Sequence, residues 1–337
     1  MTRALTGLVV LSAIALAPVY GQQQNARIYK LEELNWPQID ALDRERTMFI
    51  LPIGMLEQHG PHLPIGSDTF GVTFEADGIV RRVARALPQW NVVLMPPVNY
   101  GHGGANVIGG QLVHPGTYGL RQSTLRALVA DLGAQVALNR FKWVFVLNGH
   151  ASPTHNIATN EACDFVSQTW AVTMLHVSGL FRADASIQAK GKAMMAKHFS
   201  PSEIASMGLD VHAGASETSA NLARRPALVS TNYKKLPGLN GQTRSELQEI
   251  ARRPGWQGYL SSPALATAAY GRDIQAWWID GLSDLILRAI GGQNLLQAPR
   301  LPERIEPDVA GILGAVLDDE RAFDARLQEW LSRRQQP

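Results

Sequence analysis

The sequence predicts an α/β fold in which a mostly parallel sheet is covered by helices on both faces, and three observations carry that prediction. Short runs rich in Val, Ile, Leu and Phe alternate along the chain with longer stretches of helical apolar spacing. One of the short runs, "KWVFVLNG", is almost continuously apolar, as a strand buried on both faces should be. Polar clusters rich in His, Glu, Asp and Asn follow directly on the strands, where ligands collect in open α/β sheets.

In chain order, the amino terminus comes first. Arg3 precedes "ALTGLVVLSAIALAPVYG", whose purely apolar part is roughly a dozen residues against the ~20 that a spanning helix needs. The charged start, the short apolar centre and small residues at Val19 and Gly21 predict a signal peptide over 1–21, cut near Gln22. The expected destination is outside the cytoplasm, periplasmic or secreted. A single domain is expected over 22–300, followed by a helical extension over 301–337.

The first strand is "TMFILPIG", ending in Gly54; the second, "NVVLMPPVN", stops at Leu94 or Met95 because prolines follow. Leu125, Leu128, Val129 and Leu132 recur at helical spacing. "KWVFVLNG" is the third strand, "THNIATNEACDFVSQ" a helix and "WAVTMLHV" the fourth strand. "ASETSANLARR" opens another helix, and "RDIQAWWIDGLSDLILRAI" is a long late one. The stretch "TNYKKLPGLNGQTRSELQEIARRPGWQG" predicts a surface excursion. The final amphipathic segment, "VAGILGAVLDDERAFDARLQEWLSRR", predicts a docking helix or an oligomer contact.

Composition removes several functions. Charged residues are 18% of the chain and the formal net charge is +2, with Lys and Arg scattered, so neither nucleic acid nor a membrane surface is an expected partner. Cys163 is the only cysteine, which excludes an internal disulfide. No histidine adjoins it in sequence, so it is not the expected nucleophile.

Chemistry concentrates in "LEQHGPHLPIGSDT". Glu57 and His59 leave the same face of an extended segment, and Asp68 returns after a Gly/Pro-rich loop. Carboxylate with imidazole suits Zn, Mn or Fe, and a shared Asp can bridge two ions; a hydrogen-bonded polar loop is the alternative for this run alone. "LNGH" ends a buried strand in Asn148, Gly149 and His150, and "VHAGASETS" adds His212 and Glu217 at a helix start. Three such clusters at strand ends and helix starts favour a metal centre. His102, Gly103 and Gly104 of "YGHGGANVIGGQ" are expected to line a pocket, with backbone donors facing a developing oxyanion. His114 is a further candidate for its lining.

"LPIGMLEQHGPHLPIGSDT", "NGH", "HAGASETS", "HPGT" and "SSPALATAAYG", in that order, resemble the creatininase (creatinine amidohydrolase) family over roughly residues 45–290. The resemblance implies a three-layer αβα fold, two divalent ions (Zn first, Mn or Fe also used), a homo-oligomer, commonly a hexamer, and hydrolysis of C–N bonds in small amides. It implies Glu57, His59, Asp68, His150 and Glu217 as ligands, with Asp68 as the bridge, and His212 as the catalytic histidine beside the substrate. His62 and Asn148 are expected behind the ligands, orienting them without touching metal. Creatininase carries an aromatic residue and a metal-binding glutamate after the "NGH" histidine; here Ala151 and Ser152 stand there, with Ser152 left to the substrate side. A Trp-Asp pair is replaced in the region of Met207, Gly208 and Leu209. The expected function is therefore an exported amidohydrolase of a branch other than creatininase itself. The alternatives are lactone or peptide hydrolysis on the same centre, or a non-catalytic metal-binding protein.

Overall fold

The structure, a computed structural model, describes residues 27–110, 114–302, 304 and 307–334. The predicted signal segment lies outside the described residues.

Five strands form one parallel sheet in the order β1-β3-β2-β4-β5. They are β1 (Arg27–Lys30), β2 (Thr47–Ile53), β3 (Asn91–Leu94), β4 (Trp143–Asn148) and β5 (Thr173–His176). All of β2 is buried. It pairs with β4 from Met48↔Trp143 to Ile53↔Asn148. The helices are α1 (Trp36–Asp40), α2 (Ser67–Ala86), α3 (Gln122–Leu138), α4 (Pro153–Thr169), α5 (Val177–Ala183) and α6 (Ala185–Met195). They continue with α7 (Pro201–Met207), α8 (Ala215–Arg224), α9 (Arg244–Arg252), α10 (Ala268–Ile290) and α11 (Pro307–Arg334).

The two-residue period of the strands divides the core. Met48, Ile50, Phe145 and Leu147 pack on one face with Val72, Ile79 and Val83 of α2 and Leu282 and Ile286 of α10. Phe49, Leu51, Ile53, Val144 and Val146 pack on the other with Leu125 and Val129 of α3 and Ala162 and Cys163 of α4. Helices, sheet and helices make three layers, as expected. Burial pushes the Cys163 thiol above its ordinary pKa, so it packs as a small apolar group.

This strand order fixes where a ligand can sit. From β2 the chain crosses one way to β3; from β4 it crosses the other way to β5. The connections therefore part company beyond the carboxyl ends of β2 and β4, which opens a crevice there. Gly54 and Gly149 close those two strands. A Cβ on Gly54 would come within 2.6 Å of the Thr69 Cα, and one on Gly149 within 2.5 Å of the Asp68 carbonyl oxygen. Both glycines let the start of α2 lie against the sheet.

One segment differs from the sequence expectation and two add to it. The helix α2 follows immediately on the "GPHLPIGS" loop and carries Asp68 in its first turn. The stretch 231–258 is not a surface excursion: Thr243 caps α9, and Leu247, Ile250 and Trp256 are buried with Ala105. The last helix packs on the chain's own domain. Glu320 of α11 accepts a hydrogen bond from the Gln122 amide at the start of α3, and Arg121 pairs with Asp324 at 2.8 Å. No helix among the described residues is long and apolar enough to cross a membrane.

Candidate metal centre

Five side chains predicted from sequence converge at the crevice. Glu57 and His59 follow β2, Asp68 opens α2, His150 follows β4, and Glu217 lies in the first turn of α8. Glu57, His59, Asp68 and His150 are buried, whereas the Glu217 side chain is 35% exposed. His59 Nε2 lies 3.3 Å from Asp68 Oδ1, 3.4 Å from Glu217 Oε2 and 4.0 Å from Glu57 Oε1. His150 Nδ1 lies 2.8 Å from Glu57 Oε1 and 3.0 Å from Asp68 Oδ2. Asp68 thus turns one oxygen to each imidazole.

The protons on the two rings follow from their outer contacts. His59 Nδ1 lies 3.0 Å from the Glu57 carbonyl and His150 Nε2 lies 3.3 Å from the Gly103 carbonyl. A carbonyl only accepts, so those nitrogens carry the hydrogens and the inner nitrogens present lone pairs to carboxylates. His59 Nε2 is buried and has no hydrogen-bond partner. Lone pairs facing carboxylate oxygens repel one another unless a cation lies among them. Without one, a proton must serve: burial alone would lower the pKa of His59, but Asp68, Glu217 and Glu57 outweigh it and push it up to about 10. Burial likewise acts against the Asp68 anion, yet His59 and His150 hold its carboxyl well below the usual range. Burial pushes Glu217 up to about 7.

The donor set therefore fits divalent ions. Among the described residues, ligand atoms of Glu57, Asp68 and His150 lie within 4.8 Å of one another, as do those of His59, Asp68 and Glu217. Asp68 is common to both sets. Glu57, His59 and His212 form a third set.

His212 stands over this cluster, its ring centroid 4.5 Å from that of His59. Its Nε2 donates to the Gln58 carbonyl at 2.9 Å, which leaves Nδ1 as the proton acceptor. Burial, with His59 beside it, lowers its pKa to about 4, so the ring is neutral at pH 7. Between His212 and Glu217 the chain turns at Ala213, whose φ is 51°, and the Ala213 amide donates to Glu217 Oε2 at 2.6 Å. His62 clamps this turn, its Nε2 bonding the Ala213 carbonyl at 3.1 Å and Thr218 Oγ1 at 2.9 Å. It supports the segment that carries Glu217 rather than a ligand directly. Asn148 acts at one remove, through Asn156, which donates to the His150 and Ser152 carbonyls.

A cavity of about 450 Å³ opens beside the cluster. Gly103 and Ser152 line it as predicted. His102 is turned elsewhere: its Nδ1 faces the Leu120 carbonyl at 3.0 Å and Glu320 Oε1 at 2.9 Å. Gly104 lies behind Glu57, where a Cβ would come within 3.0 Å of Oε2. The next amide, Ala105, donates to Glu57 Oε2 at 2.7 Å, so it orients a carboxylate and is not free for an oxyanion. His114 bonds the Trp256 carbonyl and supports the loop. Sequence reasoning missed Leu247 and Gln248 of α9, and Leu313 of α11, all part of the lining.

The family model described as creatininase, creatinine amidohydrolase, matches residues 32–286. The chain belongs to the creatininase family. A metal-dependent amidohydrolase, acting on amide C–N bonds, is the enzyme class this membership and the ligand cluster support. Among its relatives, the mycofactocin precursor peptide peptidase of Mycobacterium ulcerans (strain Agy99) is 30% identical over 80% of this chain and 96% of its own. The creatinine amidohydrolase of Pseudomonas putida is 27% identical over 75% of this chain and 94% of its own. A solved structure titled "Creatininase Mn" superposes with a TM-score of 0.57 at 24% identity, covering 77% of this chain and 98% of that one. That likeness speaks for the fold.

Proposed function

We propose that this chain hydrolyses the amide bond of a small molecule or short peptide at a centre of two divalent ions, Zn first, with Mn or Fe as alternatives. The observation that carries the reading is the shared carboxylate: Asp68 belongs to two ligand sets, one with Glu57 and His150 and one with His59 and Glu217. When bound, such ions polarise an amide carbonyl and acidify water toward a pKa of about 7. The residues do the rest. Gly103 and Ser152 border the space the substrate enters, and Val107, Ile108, Leu247 and Leu313 exclude water from it. His212 Nδ1 takes a proton from the attacking water and returns it to the leaving nitrogen, a task suited to a neutral imidazole. Ala151 and Ser152 occupy the positions after the "NGH" histidine, and creatinine is not the proposed substrate.

Elemental analysis of purified protein, with hydrolysis assays on cyclic amides, formyl amides, short peptides and lactones, tests the reading. His212→Asn should keep its metal while turnover falls by roughly 10²-fold or more. A His212→Asn protein stripped of metal would make His212 a ligand, with Glu57 and His59, and the proton carrier would lie elsewhere. A homo-oligomer is part of the proposal through family membership. Export is carried by the sequence alone, through Arg3 and the short apolar run. Amino-terminal sequencing of the mature protein should start near Gln22, and an intact Met1 would contradict it.

A further inference from the structure

A second cavity, of about 400 Å³, lies on the other side of the carboxylate cluster. Asp68 and Glu217 line it, and with them Arg182, Lys192, Arg224 and Glu75. Arg182, Glu217, Ala151 and Val211 border both cavities, so the two meet at the centre. Arg182 ends α5 and donates from Nη1 to Asn156 Oδ1 at 2.8 Å. Arg224 ends α8, two turns after Glu217 on the same helical face. Its guanidinium lies over Gly71, where a Cβ would approach Nη1 to 3.2 Å, and its Nε is buried without a hydrogen-bond partner.

Neither arginine has a carboxylate oxygen within 4.0 Å among the described residues. Glu75, one turn beyond Gly71 on α2, is the nearest counter-charge in the cavity wall but stays out of contact. Burial pushes Glu75 up to about 7 and Arg182 down to about 10, a sign of how little water reaches these charges. Both arginines are partly buried, and guanidinium groups drawn away from water without an ion-pair partner are costly and are kept where a ligand completes them. The planar fork of five donors matches a carboxylate.

We propose that Arg182 and Arg224 form a subsite for a free carboxylate, so that the substrate is an amide whose molecule also bears a carboxylate group. The scissile amide then lies over the ligand cluster, where the two cavities meet, and the apolar part of the substrate fills the first. This rests on the cluster being the hydrolytic centre.

The test compares two probes that differ only at one end, N-acetylglycylglycine and N-acetylglycylglycinamide, titrated into the metal-loaded full chain. Trp277 and Trp278 line the cavity, so tryptophan fluorescence reports binding without turnover. The acid should bind at least ~10-fold tighter than the amide, the scale of one charge-assisted pair. Arg182→Gln and Arg224→Gln should each bring the acid close to the amide while leaving the amide's affinity and the metal content unchanged. Arg224→Lys, which keeps the charge without the fork, should retain part of the preference and serves if the Gln variant does not fold. Equal binding of the two probes to the parent protein would overturn the subsite, as would a preference that survives in both Gln variants. Metal lost together with the preference would also overturn it, making the arginines a charge balance for the centre. Absence of metal from the loaded parent protein would instead sink the hydrolytic reading, which elemental analysis registers separately.

Discussion

The two cavities that meet at the ligand cluster share Arg182, Glu217, Ala151 and Val211 but draw the rest of their walls from different parts of the chain. One is walled by Val107, Ile108, Leu247, Leu301 and Leu313, which belong to connecting segments, to α9 and to α11. The other adds the charges of Arg224, Glu75 and Lys192 to that of the shared Arg182, and Ile274, Trp277 and Trp278 beside them, from the helices α8, α2, α6, α5 and α10. The residues of the charged wall fall within the stretch 32–286 that the family model matches, whereas Leu301 and Leu313 of the apolar wall lie beyond it. Rigid helices hold the charges where they face the centre, and peripheral segments supply the apolar space. Substrate size should therefore be adjustable on the apolar side with little effect on the centre. The charged side should tolerate almost nothing.

The largest effect is expected from the charged side. Gly149→Ala would drive its Cβ into the Asp68 carbonyl, which lies on the backbone of α2 and cannot rotate away. Hydrolysis should fall by about 10²-fold or more, since a displacement of about 1 Å at a reacting centre is worth that much. Metal affinity should fall with it, and metal titration of the purified variant reads the loss. Unchanged affinity would mean that α2 shifts as a body and the shared position of Asp68 is not under tension.

A smaller effect is expected from the apolar side. A chain ending after Pro302 lacks Leu313 of the cavity wall and Glu320, which joins His102 and the Gln122 amide. Its metal content should be unchanged. KM for small amides should rise by roughly 10-fold as about 1.4 kcal/mol of apolar contact is lost, while bulkier amides gain in relative rate. Unchanged selectivity between small and bulky amides would show that α11 braces the fold without shaping the site.

The centre was more legible in sequence than its surroundings, for a physical reason. Ligands must come in fixed residue types at chain positions where strands end, and Glu57, His59, Asp68 and His150 satisfy both conditions within short motifs. The apolar runs of β2 and β4 were equally plain, because these strands, buried on both faces, carry a polar residue only at one end, Thr47 and Asn148. The helix α2 was harder to see. Val72, Ala76, Ile79 and Val83 keep helical spacing, but Gly71, Gly78 and the buried polar residues Asp68, Thr69 and Glu75 interrupt the apolar face. The helix α9 did announce itself: Thr243 followed by Glu246 is a start signal, and the structure shows Thr243 capping the Glu246 amide. The many charged residues of "RSELQEIAR" make it read as exposed, although one face is buried. Arg182 and Arg224 could not be paired from sequence at all. They lie on separate helices, and only the packing of α5 and α8 around the crevice brings them to one cavity.

The shared role of Asp68 is the claim on which both cavities depend, and metal stoichiometry tests it most directly. Of the two ligand sets that Asp68 joins, Glu57→Gln weakens the one with His150, and Glu217→Gln the one with His59. Each should lose about one equivalent on dialysis, because one anionic ligand of one set is gone. Asp68→Ala removes a ligand from both sets at once. Elemental analysis of the three dialysed proteins, beside the parent, should find that Asp68→Ala alone has lost more than one equivalent of metal. An Asp68→Ala protein that keeps its full metal complement would contradict the shared carboxylate and, with it, the two-ion centre.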